Sequence, residues 1–155
     1  MINGKLLYEI EKNNLKVYEL PMDKNVKGLC IGKNIIINKG LSNEAERNCI
    51  LAEEIGHYKT TVGDITKGNT VACAKQELKA RAYAYDMLIG LDGLVAASEA
   101  GSLSSAEAAD FLCVTEAFFN DTIKYYIGKY GISTVFDSKE ITFIPFLSVK
   151  AVKIG

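Results

Sequence analysis

The sequence predicts an α+β fold, and three observations indicate it. Short apolar runs lie within residues 16–38, two long helical segments follow at 43–58 and 71–89, and shorter helical segments continue to residue 131. The chain has 155 residues, of which 48% are hydrophobic. This size and apolar content are typical of one domain with one core, so we expect a single domain over residues 1–155.

Apolar spacing and turn residues define the elements of the first third of the chain. Apolar side chains at helical spacing predict a short helix over residues 2–13 that ends near Asn13 and Asn14. Three strands are then predicted at Lys16–Leu20, Gly28–Ile31 and Asn34–Asn38. The dipeptide between the second and third of them, Gly32 and Lys33, predicts a hairpin turn.

Two long helices are predicted next. Asn43 and Glu46 have the spacing of a capping box, which begins a helix that runs to about Tyr58. Residues 60–69 contain two glycines and polar residues and are expected to form a loop. Alanine-rich sequence favours a second helix over 71–89, and Gly90 predicts its end.

Residues 91–131 are predicted to form a helical extension and 132–155 a terminal β-hairpin. The helices are expected at 92–100, 105–112 and 115–130, and the hairpin strands at 133–136 and 141–149 around residues 137–139. The segment from Ser104 to Gly131 has a sequence pattern that is typical of a helix-turn-helix motif. Because its acids outnumber its lysines by two, direct DNA binding is not expected.

Charge and hydropathy exclude several classes of protein. The formal net charge is -1, so no global basic field attracts nucleic acid or an anionic membrane. Charged residues interrupt the first twenty residues, and no apolar run is long enough for a membrane helix. We therefore expect a cytoplasmic protein without a membrane partner. Its four cysteines lack CxxC spacing and are expected to be reduced core residues.

The chemistry-bearing pattern surrounds the single histidine, His57. Glu53 lies four residues before it, and on a helix such positions project from one face about 6 Å apart along the axis, so one metal ion could contact both. Glu54 stands where the zincin motif H-E-x-x-H has its general base beside a metal-bound water. Glu53 takes the place of the first histidine, and carboxylate oxygens also bind zinc.

A catalytic zinc ion usually has three protein donors and one open position, so a third ligand is needed. Glu77 is the candidate, because it lies on the second long helix after a loop long enough to turn the chain back antiparallel. Cys73, one helical turn earlier, is the rival donor. Cys49 is excluded as a partner of His57, because the intervening helix separates them by roughly 12 Å.

Three segments match a known family: the strand Ile35–Asn38, the helix Arg47–His57 (RNCILAEEIGH) and the segment Glu77–Ala84 (ELKARAYA). The stretch of about sixty residues from Gly28 to Ile89 resembles the ImmA/IrrE family of metallo-endopeptidases, particularly members found with phage and prophage repressors. In that family the last segment reads approximately E-x-x-A-N-x-F-A. Here Arg81 replaces the asparagine and Tyr83 the phenylalanine.

The resemblance implies a zincin-like minimal metallopeptidase core over residues 1–90, with a small sheet and two long active-site helices. It implies zinc as cofactor, Glu54 as catalytic general base, and Glu53, His57 and Glu77 as metal ligands, with Glu53 at a position normally held by histidine. The family's substrates are DNA-binding repressor proteins. The expected function is therefore zinc-dependent endoproteolysis of a partner protein, a helix-turn-helix repressor of phage type.

Other interpretations of the same residues stay open. His57 lies near the C-terminus of its helix, where a cationic side chain interacts favourably with the helix dipole. Glu77 can form an ion pair with Arg81 one turn later, and Arg81 could in addition orient Glu77 on a metal ion. A tyrosine hydroxyl near these positions could donate to an oxyanion, and the candidates are Tyr58, Tyr83 and Tyr85. The alternative function, favoured by Glu53, is a catalytically degenerate regulator that binds the repressor without cutting it.

Overall fold

The computed structural model describes residues 3–60 and 70–152, and within these ranges it has six helices and six strands. The architecture is α+β, as predicted. The chain divides into two compact units, Met1–Leu88 and Ile89–Gly155. The single domain and its three segments stay predictions. The predicted loop at 60–69 lies outside the described residues, apart from Thr60.

In the described ranges the first unit contains, in chain order, α1 (Gly4–Lys12), β1 (Lys16–Leu20), β2 (Gly28–Ile31), β3 (Asn34–Asn38), α2 (Glu44–Thr60) and α3 (Thr70–Leu88). The three strands have the predicted bounds. Each helix begins and ends within about two residues of its predicted position, which is the precision that caps and apolar spacing allow.

The central strand of the first sheet is β3, in the order β1-β3-β2. It pairs in parallel with β1 and antiparallel with β2. Because side chains alternate across a sheet, Ile35 and Ile37 of β3 are buried on one face. Gly28, which is paired with Ile37, approaches Ile50 of α2, so this inner face is the one that packs against α2.

The start of α2 shows a variant of the predicted capping box. The Asn43 side chain accepts a hydrogen bond from the Glu46 N–H at 2.8 Å, as predicted. The Glu46 carboxylate reaches one residue further back and accepts hydrogen bonds from the hydroxyl and the N–H of Ser42. The Ser42 bonds lower the pKa of Glu46, because they stabilise the ionised carboxylate.

The second unit contains α4 (Gly90–Glu99), α5 (Ser105–Leu112), α6 (Glu116–Tyr130), β4 (Ser133–Phe136), β5 (Lys139–Thr142) and β6 (Ser148–Ala151). Gly90, with φ +66°, lies two residues after the end of α3, where a left-handed glycine ends a helix as predicted, and it is also the first residue of α4. Strands β4 and β5 form the predicted antiparallel hairpin, and β6 pairs with β5 to complete a three-stranded meander where a single strand was predicted over 141–149. Pro145 explains the difference, because it has no N–H and lies where the long predicted strand divides.

The cysteine and membrane predictions have different outcomes. Cys49 is buried, whereas Cys30, Cys73 and Cys113 are only partly buried, so the prediction of four core cysteines is wrong for these three. None of the four forms a disulfide bond. None of the helices in the described ranges has the length and apolar character that crossing a membrane requires.

Candidate functional site

The site depends on a close approach of α2 and α3. A Cβ added to Gly56 would collide with the carbonyl oxygen of Ala80, so the backbones of the two helices touch at this point. Only glycine permits this distance. Because Gly56 precedes His57 and Ala80 follows Glu77 by three residues, the contact places these two side chains against each other.

His57 and Glu77 form the centre of the site. The His57 Nε2 atom lies 3.2 Å from Glu77 Oε2. The Arg81 Nε atom lies 3.4 Å from the other carboxylate oxygen of Glu77, one helical turn away on α3. Glu77 therefore lies between an imidazole and a guanidinium group, and its carboxylate is held by both helices.

Glu54 lies one turn before His57 on α2, and its side chain is partly buried. Burial, together with the negative charges of Glu53 and Glu77, raises its pKa to about 7. Its side chain packs against strand β2, where a Cβ on Gly28 would lie only 3.1 Å from Glu54 Cγ. The absence of a side chain at Gly28 thus leaves the space that the Glu54 carboxyl group occupies.

A cleft of about 540 Å³ opens beside these residues. One wall is strand β2 with the turn at Gly32, and the other is the face of α2 that presents Glu54, His57 and Tyr58. Cys30 of β2 also lines the cleft; burial, and then the charge of Glu54, raise the pKa of its thiol. The cleft thus exposes one imidazole, one carboxyl group and one phenol to a bound molecule.

The predicted metal ligands are brought together only in part. His57 and Glu77 meet, and Glu53 acts on Glu54 through its charge. Among residues 3–60 and 70–152, no three side chains of His, Cys, Asp and Glu are grouped closely enough to hold one metal ion. The third ligand therefore stays a prediction, for Glu53 and for its rival Cys73 alike.

The three neighbouring tyrosines have different environments. Tyr85 is buried in the core of the first unit, with 8% of its surface exposed. The Tyr83 hydroxyl donates a hydrogen bond to Glu9 of α1 at 3.2 Å. Tyr58 lines the cleft with Glu54 and His57, so it is the tyrosine that faces a bound molecule.

Sequence reasoning missed Gly28, Cys30 and Gly56. A signal for Gly56 was present, because an isolated glycine inside a helical pattern costs stability and usually has a packing reason. Strand alternation could have placed Gly28 and Cys30 on the face that contacts α2. The sequence contains no signal for the wall that β2 contributes to the cleft, since this depends on tertiary packing.

Comparison with protein-family models, curated proteins and solved structures finds no match to this chain.

Proposed function

We propose that this protein is a zinc-dependent endopeptidase that cleaves a partner protein. The observation that carries the proposal is the pairing of His57 Nε2 with Glu77 Oε2 at 3.2 Å beside an open cleft. Glu54 in the same cleft supports it. The ImmA/IrrE-type core with zincin-like architecture, inferred from sequence, is part of this proposal.

Two of the three protein ligands that a catalytic zinc ion needs are proposed to be His57 and Glu77. Imidazole nitrogen and carboxylate oxygen are both common zinc ligands, at about 2.0–2.2 Å. His57 and Glu77, whose Nε2 and Oε2 atoms lie 3.2 Å apart, would hold the zinc ion from α2 and α3. Glu53 is the proposed third ligand.

The chemistry that zinc supplies when bound is polarisation of the scissile carbonyl group and acidification of a water molecule. Glu54 is the general base. A pKa of about 7 allows its carboxylate to accept a proton from the attacking water at neutral pH and then, as the acid, to donate it to the leaving nitrogen. Arg81 keeps the Glu77 carboxylate in place, and Tyr58 is positioned to donate a hydrogen bond within the cleft.

The substrate that we propose is a helix-turn-helix repressor of phage type. This proposal rests on the sequence resemblance, and the open cleft is compatible with an extended segment of a protein. The cleft has Gly28 and Gly32 along one wall, which leaves backbone atoms accessible to such a segment.

Two measurements on the purified full chain test the proposal. Elemental analysis after incubation with zinc and removal of the excess is expected to give about one zinc per chain, and His57→Ala is expected to remove it. Incubation of the zinc-loaded protein with a purified helix-turn-helix repressor of phage type is then expected to give discrete fragments on a gel. Absence of bound zinc would contradict the proposal.

A second candidate function is a non-catalytic regulator that binds the repressor and blocks it stoichiometrically. The observation that favours it is Glu53, which stands where the H-E-x-x-H motif has its first histidine. A stable complex with intact repressor, unaffected by zinc or by a chelator, would support the regulator. Fragments that form only with zinc would support the peptidase.

A further inference from the structure

The sheet of the first unit has a second, outer face that points away from α2. One apolar row crosses the three strands on this face. It consists of Ile36 of β3 and its two cross-strand partners, Tyr18 of β1 and Leu29 of β2. Leu20 and Ile31 lie on the same face at opposite ends of the row, because their partners on β3 are Asn38 and Asn34. We call this set the outer apolar row.

These side chains are exposed to a degree unusual for a sheet face. The exposed fractions are 44% for Tyr18, 47% for Leu20, 43% for Leu29 and 60% for Ile31. A contiguous apolar patch that is open to solvent is typical of an interaction site, whereas single exposed apolar residues are not. The outer apolar row therefore indicates a surface that a partner covers.

The rim of this face is basic. Residues 15–40 contain five lysines and two acidic residues. Lys16 shares the outer face with Tyr18 by strand alternation, and its N–H donates to the Lys33 carbonyl at 2.9 Å, so two lysines lie at one end of the row. At the other end, the Lys39 N–H donates to the Leu20 carbonyl at 2.9 Å.

The charges of these lysines are available to a partner. Within the described residues, the structure shows no ion pair for Lys16, Lys33 or Lys39. Glu19, the acid of β1, alternates to the inner face, where it lies 4.0 Å from Arg47 of α2. The outer face thus combines apolar side chains with the charge of Lys16, and the exposed residues Lys33 and Lys39 lie next to its two ends.

The width of the face matches one helix. Three strands at about 4.8 Å spacing span about 10 Å, and a helix with its side chains has a diameter of about 10–12 Å. On the inner face the sheet already packs against α2. A helix on the outer face would complete a three-layer arrangement of helix, sheet and helix.

We propose that the outer apolar row binds an acidic amphipathic helix of a partner protein. Its apolar stripe packs on Tyr18, Ile36 and Leu29, and its acidic flanks meet Lys16, Lys33 and Lys39. The proposal does not depend on the proposed peptidase function. Most of the outer apolar row lies on the side of the sheet away from α2, and Leu29 of β2 is the member of the row that also lines the cleft.

The test measures binding of labelled synthetic helices to the full chain by fluorescence anisotropy. One peptide carries leucines on one face and glutamates on the other, and its counterpart carries lysines in place of the glutamates. We expect the acidic peptide to bind, more weakly as salt is raised, and the basic peptide to bind at least about tenfold more weakly.

Two variants locate the binding surface. Leu29→Thr combined with Ile31→Thr keeps the strand propensity and removes apolar surface, and it is expected to weaken binding at least about tenfold. Lys16→Glu combined with Lys33→Glu is expected to do the same, and it tests the proposal even if the threonine variant fails to fold. The matched control is Leu7→Gln, equally exposed at 43% but on α1, with unchanged binding.

Four outcomes would overturn the proposal. The first is absence of peptide binding, and the second is equal binding of the acidic and basic peptides. The third is binding that both outer-face variants leave unchanged. The fourth is that the acidic peptide does not bind, while the same variants abolish either self-association of the chain or binding to phosphatidylglycerol vesicles. Loss of self-association would assign the face to a second copy of the chain, and loss of vesicle binding would assign it to a membrane.

Discussion

Gly56 of α2 lies directly against the carbonyl group of Ala80 of α3, with no room for a Cβ between them. This contact sets the distance between the two helices at the level of the candidate site. His57, the next residue of α2, consequently reaches Glu77, one turn before Ala80 on α3. Five predictions follow from this arrangement and from the charges around it.

Gly56→Ala is expected to force the helices apart. Overpacking a tight contact typically costs about 1–3 kcal/mol, so the free energy of unfolding should fall by this amount in urea titrations. Zinc affinity should fall with it, because His57 and Glu77 separate. The matched control is Gly128→Ala in α6, where a Cβ meets nothing within 4 Å and stability should be unchanged or rise by up to about 1 kcal/mol. Wild-type stability in Gly56→Ala would contradict the contact.

Glu54→Gln is expected to abolish repressor cleavage while one zinc remains bound. A general base typically contributes a factor of about 10²–10⁴ in rate, and glutamine keeps the shape of the side chain without accepting a proton. Cleavage rates on a gel and zinc content by elemental analysis check this together. A variant that cleaves at the wild-type rate would remove Glu54 from this role.

Stability is expected to depend on pH through Glu54. The folded protein raises the pKa of this carboxyl group from 4.5 to about 7, so between these values the folded state binds more protons than the unfolded state. The contribution of Glu54 to the free energy of unfolding therefore decreases as pH rises through this window, by up to about 3 kcal/mol.

Glu54→Gln removes this pH-dependent contribution to the free energy of unfolding. The comparison of the variant with the wild type uses chelator-treated protein, so that both are free of metal. The difference in unfolding free energy between the variant and the wild type should shift in favour of the variant from pH 4.5 to pH 7. Urea titrations across that range measure it. A constant difference between the two proteins would show that Glu54 ionises equally in the folded and unfolded states.

Arg81→Met is expected to weaken zinc binding by about tenfold or more, because a ligand loses the partner that orients it. The pair with Glu77 is exposed, so the stability should change by less than about 0.5 kcal/mol. Arg81→Lys should restore part of the affinity, which a purely structural role of the arginine stem would not predict. Lys79→Met, an exposed cation two residues away, is the control and should leave zinc affinity unchanged.

Glu53→His is expected to tighten zinc binding, because it restores the H-E-x-x-H pattern and replaces an oxygen donor with an imidazole. Competition with a chromophoric chelator measures the affinity, and Glu53→Ala provides the comparison without a donor. If all three proteins bound zinc equally, Glu53 would not be a ligand and Cys73 would become the residue to test.

The strand bounds could be predicted from sequence because each strand ends at a turn residue or a polar residue. The bounds of the three strands in the first sheet and the hairpin turn at Gly32 and Lys33 were predicted, whereas the parallel pairing of β1 with β3 was not. At the terminal sheet, residues 141–149 form one apolar run, and the predicted strand continued through Pro145. The missing N–H of proline was the available signal for two separate strands.

The candidate site was predictable in its parts and not in its assembly. Helical spacing places Glu53 and His57 on one face of α2, and this follows from sequence alone. The contact of His57 with Glu77 depends on how closely α2 and α3 approach, and therefore on Gly56. The raised pKa of Glu54 depends on burial beside Gly28, a contact between elements that local sequence does not encode.

Every side chain of the candidate site lies in the first compact unit, before residue 89. Substitutions, insertions or exchange of the C-terminal unit can accordingly accumulate during evolution without touching the residues that would carry out the reaction. Related chains that preserve residues 28–88 but diverge after them would be expected to keep this set of side chains.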